Sequence, residues 1–528
     1  MGPETADLFK TAIALPARIL RGGVTKNPLF QIHNLQRDTG DAGVQSRNGF
    51  VPILSSIQGI KLAIADGSLR REFLAAGGGY ATLSGGGLKG AEATLKAMAP
   101  KTRKGTVVYT VRHPLEALAR FGRPFEEAAR LAEYKKAREH GKSATEAALD
   151  AARVTTNFTV HGSSPFFRWL TLASAFVNPA IQGTDKFFRT VLEAPRGEKQ
   201  SARRIARAAG AVAFRGVLNV GMVSAILYAL NYDDDEIEEK RKTKAGAVWW
   251  FVRVPGTKII LRFPKPFAWG QVFGTGMETF LDKARGEDPD AMKRWRDEVY
   301  GMLFEGLVPF PTIAKVPVEL ILNRSFFFKR PIVPRYAEGL EPDLQSAPRT
   351  GETVRLIGEK LNFSPAKIEH AVGGVGGTLA REAMKVSDMV LRDSDVSPPA
   401  KRLSDLPIVG RGFSSPDSSG YSTEKFYREL DELRRVQKSY KQYLKQDPAK
   451  AREYARKNFE HLDAAKLKRY EKVARSISGL RKVAEQVRKM ADSAMTPRQK
   501  SDRIAAIEGR MTALAAAAIG KPKKEPSR

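Results

Sequence analysis

The 528-residue chain contains no cysteine and only six histidines. The missing thiols exclude disulfide scaffolds, cysteine zinc sites, iron–sulfur clusters and a cysteine nucleophile. The histidines are His33, His113, His140, His161, His370 and His461, and no two lie within five residues of each other. No H-x-x-x-H metal helix therefore exists. Negative charge is also scarce, with 58 acidic against 88 basic residues, a formal net charge of +30. A field of that size attracts polyanions, nucleic acid first and anionic membrane second, and exceeds what solubility needs. The first residues lack a basic region followed by a long apolar core, so no secretory signal is visible. Position 6 is alanine, where a myristoylation motif needs serine or threonine.

What is present reads as helix broken by glycine and proline. Hydrophobic residues make up 42% of the chain, enough for a real core. Residues 52–75 carry Ile53, Ile57, Ile60 and Leu62 at helical spacing, and two glycine triplets follow at 77–79 and 85–87. These triplets suggest a flexible loop or hinge. Residues 114–152 read as two charged helices broken at Gly141. The aromatic segment 166–192 holds Pro179, expected to kink or end it. Residues 208–230 are the most hydrophobic run and are long enough to span a bilayer, although Arg215 and Asn219 interrupt them. A buried core helix is the simpler reading, and a membrane-inserting one the alternative.

The β signal is a single hairpin, about 249–263, in which Trp249–Val254 and Thr257–Phe263 flank Pro255-Gly256. The fold class is therefore mainly α, with that hairpin and a basic helical appendage. The main domain is placed at 1–395 and a Ser/Pro/Gly-rich linker at 396–422. A polar helical segment at 423–516, with Thr423 as N-cap, and a basic tail at 517–528 complete the chain. Glu424, Leu430, Leu433, Val436, Tyr440, Tyr443 and Leu444 mark a recurring stripe along the first of the appended helices. Residues 401–528 hold 31 basic and 16 acidic residues, a net +15, half of the whole excess in a quarter of the length.

Local motifs for chemistry fail one by one. Gly141-Lys142-Ser143 lacks the glycine five residues earlier that a phosphate loop needs. The glycine triplets do not follow a strand in dinucleotide-binding order, and no G-x-S-x-G elbow is present. The acidic run Asp233–Glu239 lacks the spacing of a calcium loop and suits helix capping or pairing with basic neighbours better. His33 with Arg37 and Asp38 could be sketched as an acid–base group, but Asn34, Arg37 and Asp38 at helical spacing suit a buried polar network better. No catalytic, metal or cofactor residue is assigned.

Several segments in order carry a resemblance. Asn27-Pro28 followed by Asn34, Arg37 and Asp38, then Gly49–Pro52, Phe176–Phe188, Leu227–Glu236 and Phe263–Gly274 with Pro264, Pro266, Phe267 and Gly270, are similar to segments of the large polyvalent protein-associated domain 38 family. Pro317–Pro334 and Thr350–Gly377 continue the order, so the resemblance covers about 10–390. Ala268-Trp269 departs from it where an acidic residue usually follows. The resemblance implies a phage or mobile-element setting, membership among very large multidomain proteins that travel with element DNA, and no assigned catalytic residues. Because the chain begins almost at the start of the resemblance, upstream enzymatic modules are expected to have been split into another reading frame.

Together these readings lead to the expectation of a non-enzymatic internal virion or co-injected protein, located in the virion interior or the host cytoplasm. Its partners would be nucleic acid, bound with low sequence specificity, and other phage virion proteins. The expected phosphate-binding cations are Arg434, Arg435, Lys438, Lys441, Lys445, Arg481, Lys482, Arg488, Lys489, Lys521, Lys523 and Lys524. Tyr427, Tyr440, Tyr443 and Tyr454 either stack on bases or pack between helices. The alternatives are a membrane-engaging ejection component using 208–230 and an enzyme whose site is not local in sequence.

Overall fold

Short polar side chains set many of the helix starts. Ser143 and Thr496 each close a capping box, with Glu146 and Gln499, and Ser201, Asp234, Asp447 and Asp463 accept from first-turn backbone N–H groups. The computed structural model describes residues 3–25, 28–78, 114–155, 164, 169–171, 173–192, 201–285, 291–304, 311–327, 330–335, 337–347, 350–390, 397–407, 409–414 and 421–520. Asn27, the second glycine triplet, His113, His161, Lys521, Lys523 and Lys524 lie outside them.

Within these residues the protein is mainly α. The N-terminal half contains α1 (Pro3–Thr25), α2 (Pro28–Gln45), α3 (Leu54–Ala65), α4 (Ser68–Ala75), α5 (Pro114–Glu139), α6 (Ala144–Arg153) and α7 (Val177–Leu192). Helices α2 and α3 both pack on α5. Gly59 makes this close packing possible, since a Cβ there would lie 1.9 Å from the Ala128 carbonyl oxygen. Phe73, Leu131, Tyr134, Ala147 and Ala151 form one core cluster. The helix expected over 52–75 is in fact two, because Asp66 adopts the left-handed conformation (φ 49°) and ends α3. Pro179 sits in the first turn of α7 and so begins that helix rather than breaking it, where a missing N–H costs nothing.

Two interrupted helices form the centre. Helix α8 spans Ala202–Leu230 with a π turn at Val217–Gly221. Beyond α9 (Asp235–Arg241), α10 (Lys244–Val248), β1 (Trp249–Arg253) and β2 (Ile260–Pro264), helix α11 covers 267–284 with its own π turn at Gly270–Thr275. The two π turns pack on each other, with the Phe273 ring seated on Gly216. The expectation that 208–230 is a buried core helix is overturned. Only 28% of its apolar window is buried, and Phe214, Leu218, Ile226 and Leu230 are exposed.

The hairpin forms where expected, with Trp249 opposite Pro264, Phe251 opposite Arg262, and Gly256 at φ 70° in the turn. A third strand, β3 (Phe413–Ser414), adds antiparallel to β2. It comes from the stretch read as linker. That stretch is held elsewhere too, since the Ala400 N–H donates to the Pro497 carbonyl and buried Lys500 donates from Nζ to the Ser397 carbonyl. The remaining elements are α12 (Ala291–Phe304), α13 (Thr312–Ile321), α14 (Glu352–Leu361) and α15 (Pro365–Val390), the last packed on α1. The chain then builds a bundle of α16 (Tyr421–Gln446), α17 (Pro448–Lys457), α18 (Ala464–Arg488) and α19 (Pro497–Ala518). Its core is Phe426, Leu430, Leu433, Tyr470, Ile477, Met511 and Ala515. Helix α16 begins at Tyr421, so Thr423 lies inside it and is not its cap.

Candidate nucleic-acid interface

The motif segments converge on one interior place. Asn34 and Asp38, one turn apart on α2, are both buried, and Asn34 Nδ2 donates to Asp38 Oδ2 at 3.1 Å. Burial pushes the Asp38 carboxyl up to about 7, against the pull of Arg130 and Lys186. The Arg37 guanidinium lies 5.7 Å from the Trp249 ring centroid and 5.3 Å from that of Phe267. His33 meets Trp249 edge-on at 5.2 Å. Desolvation, followed by Arg411, Arg37 and Arg262, holds it down at about 4. Asn34 and Asp38 thus pair in a buried polar network, whereas His33 packs on an aromatic ring.

Arg37, Asp41, Lys186, Lys265, Phe267 and Trp269 line a cavity of about 290 Å³ between α2, α7 and the start of α11. Its charges are compensated. Lys186 Nζ donates to Asp41 Oδ2 at 3.1 Å, and Lys265 Nζ donates to Glu278 Oε2 at 2.7 Å and to the Gly246 carbonyl at 2.7 Å. Pro266 packs on Gly40, where a Cβ would lie 2.2 Å from its ring. Pro264 ends β2 opposite Trp249, and Gly270 opens the π turn against the Lys265 backbone. Pro28 is the first residue of α2. The motif residues thus lock three segments together. Sequence reasoning misses Asp41, Lys186 and Lys265, although a lysine inside the apolar run Phe263–Phe267 marks the last of them.

The acidic run works as the structural reading expects. Asp234 caps α9, the Arg253 guanidinium is held by Asp234 and Glu236, and Glu238 pairs with Lys242. Among the described residues no group of three metal-ligating side chains is placed to hold an ion. Lys142 of the G-K-S triplet is paired with Asp150, and Ser143 caps α6.

The cations expected to meet phosphate separate into two groups. Lys438, Lys441, Lys445, Lys482 and Lys489 are exposed on the bundle. Arg434 and Arg435 are exposed but paired with Glu471 and Glu432. Arg481 is half-buried. Arg488 turns inward, donates to Glu352 at 3.0 Å, and fastens the bundle to α14. Three of the four tyrosines make ring contacts within the bundle. Tyr427 packs on Phe426, and Tyr443 lies 5.2 Å from Tyr454 with the Lys450 ammonium over its ring. The buried stripe on α16 is Phe426, Leu430, Leu433 and Val436, and Leu444 is exposed.

A longer basic row lies along α18 and ends on its C-cap residue, Lys489. Lys468, Lys472, Arg475, Lys482 and Lys489 follow one another at steps of four, three, seven and seven, so they share one face. Tyr470, Ile477 and Ala484, which face the bundle core, occupy the opposite side. All five cations are exposed, and among the described residues none has an ion-pair partner. The row runs about 32 Å along the helix axis. Sequence reading finds only its last two members, because it follows clusters rather than the heptad step.

Residues 232–409 match the family model described as Large polyvalent protein associated domain 38. The segments from Phe263 onward that carried the resemblance fall inside this range, whereas those at 27–52 and 176–188 precede it. The match points to a phage or mobile-element polyvalent protein. No curated protein and no solved structure matches the chain.

Proposed function

We propose, from the domain match at 232–409 as premise, that this is a non-enzymatic phage or mobile-element protein that associates with DNA during packaging or ejection. The observation that carries the reading is the unpaired cation row on α18. Its length of about 32 Å is close to one turn of B-form duplex, about 34 Å. Four of the five cations are lysines, point charges on flexible stems that suit phosphates rather than base edges. Binding is then sequence-tolerant and driven by counterion release. The exposed Lys438, Lys441 and Lys445 of α16 add to the same field.

The test is filter binding of duplex DNA by the full chain over a salt series. Wild-type affinity should fall steeply with salt. Replacing Lys468, Lys472, Arg475, Lys482 and Lys489 by glutamine should lower the log–log slope by up to about 0.9 for each phosphate no longer neutralised. A variant that keeps the wild-type slope would remove the row from the interface. Salt-independent or absent binding by wild type would overturn the reading.

A further inference from the structure

The long apolar helix carries a surface that DNA association does not use. On α8, Phe214, Leu218, Met222, Ile226 and Leu230 are all exposed, from 48% to 69%. An i+4 series drifts by about 40° per step on an ideal α-helix. The π turn at Val217–Gly221 takes up one extra residue within this series and returns the later members to the side of the earlier ones. The result is one continuous apolar ridge.

The two residues that interrupt the run lie on the other side. Arg215 donates from Nη1 to the Ser46 carbonyl at 2.9 Å, and Asn219 donates from Nδ2 to the Gly43 carbonyl at 3.1 Å. Both are therefore spent holding α8 to the C-terminal end of α2 and the residue just beyond it, and neither weakens the outer face. Val212 and Val220 are buried inward beside Trp269. At the N-terminal end of the ridge, Arg203 and Arg207 are exposed at i and i+4, and Phe214 follows on the same face at i+11. At the C-terminal end, exposed Tyr232 lies beneath the Arg285 guanidinium, 3.6 Å from its ring centroid.

We infer that α8 docks the protein on an anionic lipid surface, lying in the interface rather than crossing the bilayer. An apolar ridge with cations at its head and an aromatic–arginine pair at its foot is complementary to acyl chains bordered by negative headgroups. The inward bonds of Arg215 and Asn219 argue against spanning, because the inner face would have to leave α2 to meet lipid.

Flotation of the full chain with vesicles of equimolar phosphatidylcholine and phosphatidylglycerol tests this, with phosphatidylcholine vesicles alone as comparison. Wild type should float with the anionic vesicles and stay bound through a high-salt wash. A Leu218→Asp, Ile226→Asp double variant should lose on the order of a hundredfold in partition, with unchanged circular dichroism and unchanged filter binding of DNA. An Arg203→Glu, Arg207→Glu variant should lose its preference for anionic vesicles. The inference is overturned if wild type stays soluble, if salt strips it as fully as the double variant, or if the double variant floats like wild type. It is equally overturned if that variant instead alters sedimentation of the lipid-free protein, which would make a second copy of the chain the occupant. DNA binding is read on the same preparations, so its failure and the failure of lipid docking are distinguishable.

Discussion

Buried Glu239 accepts both the backbone N–H of Ser422, at 2.9 Å, and its hydroxyl, at 2.7 Å. One carboxylate of the acidic run thereby satisfies the first turn of α16, 183 residues further along the chain. It joins the region matching the polyvalent domain to the basic bundle. Glu239→Ala leaves two buried donors without a partner and should cost roughly 1–3 kcal/mol of unfolding free energy. A double-mutant cycle with Ser422→Ala under urea denaturation checks it. Purely additive losses would mean that the two groups do not act together.

Asp38 gives the protein a pH dependence of unusual sign. Its folded value of about 7 lies above the ordinary carboxyl value near 3.9. Between these limits the folded state binds more protons than the unfolded, so stability falls as pH rises from about 4 to 7. The causes are burial first, opposed by Arg130 and Lys186 and reinforced by Asp41 and Glu126. Asp38→Asn keeps the shape and removes the titration. Thermal midpoints of wild type and variant should differ progressively more in favour of the variant as pH rises through that window. A constant difference would sink the assignment.

His33 works in the opposite direction. With a folded value of about 4 against an ordinary 6.5, the unfolded state binds the proton first as pH falls. This contribution is present above about 6.5 and is lost toward pH 4. His33→Phe should reduce the loss of stability on acidification over that window, read by urea midpoints at pH 7 and pH 5. The same slope in both proteins would show that the fold does not shift the titration of His33.

Sequence signals suffice where local chemistry decides the outcome. Gly141 breaks the 114–152 pair of helices, Pro255-Gly256 turns the hairpin, and the acids at 233–239 cap α9 and pair with basic neighbours. They fail where tertiary placement decides. Nothing local shows that Phe413–Ser414 will complete a sheet begun at Trp249. The apolar content of 208–230 gives no sign that Arg215 and Asn219 turn toward α2 and leave Phe214 and Leu218 outside. Arg488 looks like its exposed neighbour Lys489 in the sequence, and only the packing of α18 on α14 turns it toward Glu352. The row at 468–489 is legible in principle, since its spacing is helical, but its lack of counterions depends on which acids fold near it.

Two helical glycines should respond to alanine with opposite signs. Alanine is favoured over glycine inside a helix by about 1 kcal/mol, through reduced backbone entropy in the unfolded chain. Gly210, in the exposed part of α8, has nothing within 4 Å of the place a Cβ would occupy. Gly210→Ala should therefore stabilise the protein by about that amount. At Gly59 the same Cβ would sit 1.9 Å from the Ala128 carbonyl oxygen and 2.6 Å from its carbon, both backbone atoms of α5. That clash can be relieved only by moving α3 off α5, which opens the packing around the helix pair. Overpacking costs of about 1–3 kcal/mol outweigh the propensity gain. Gly59→Ala should lower the thermal midpoint and Gly210→Ala raise it, in calorimetry at a single pH. Equal shifts of the same sign would mean that helix propensity alone governs both sites and that the close approach of α3 to α5 is not maintained in solution.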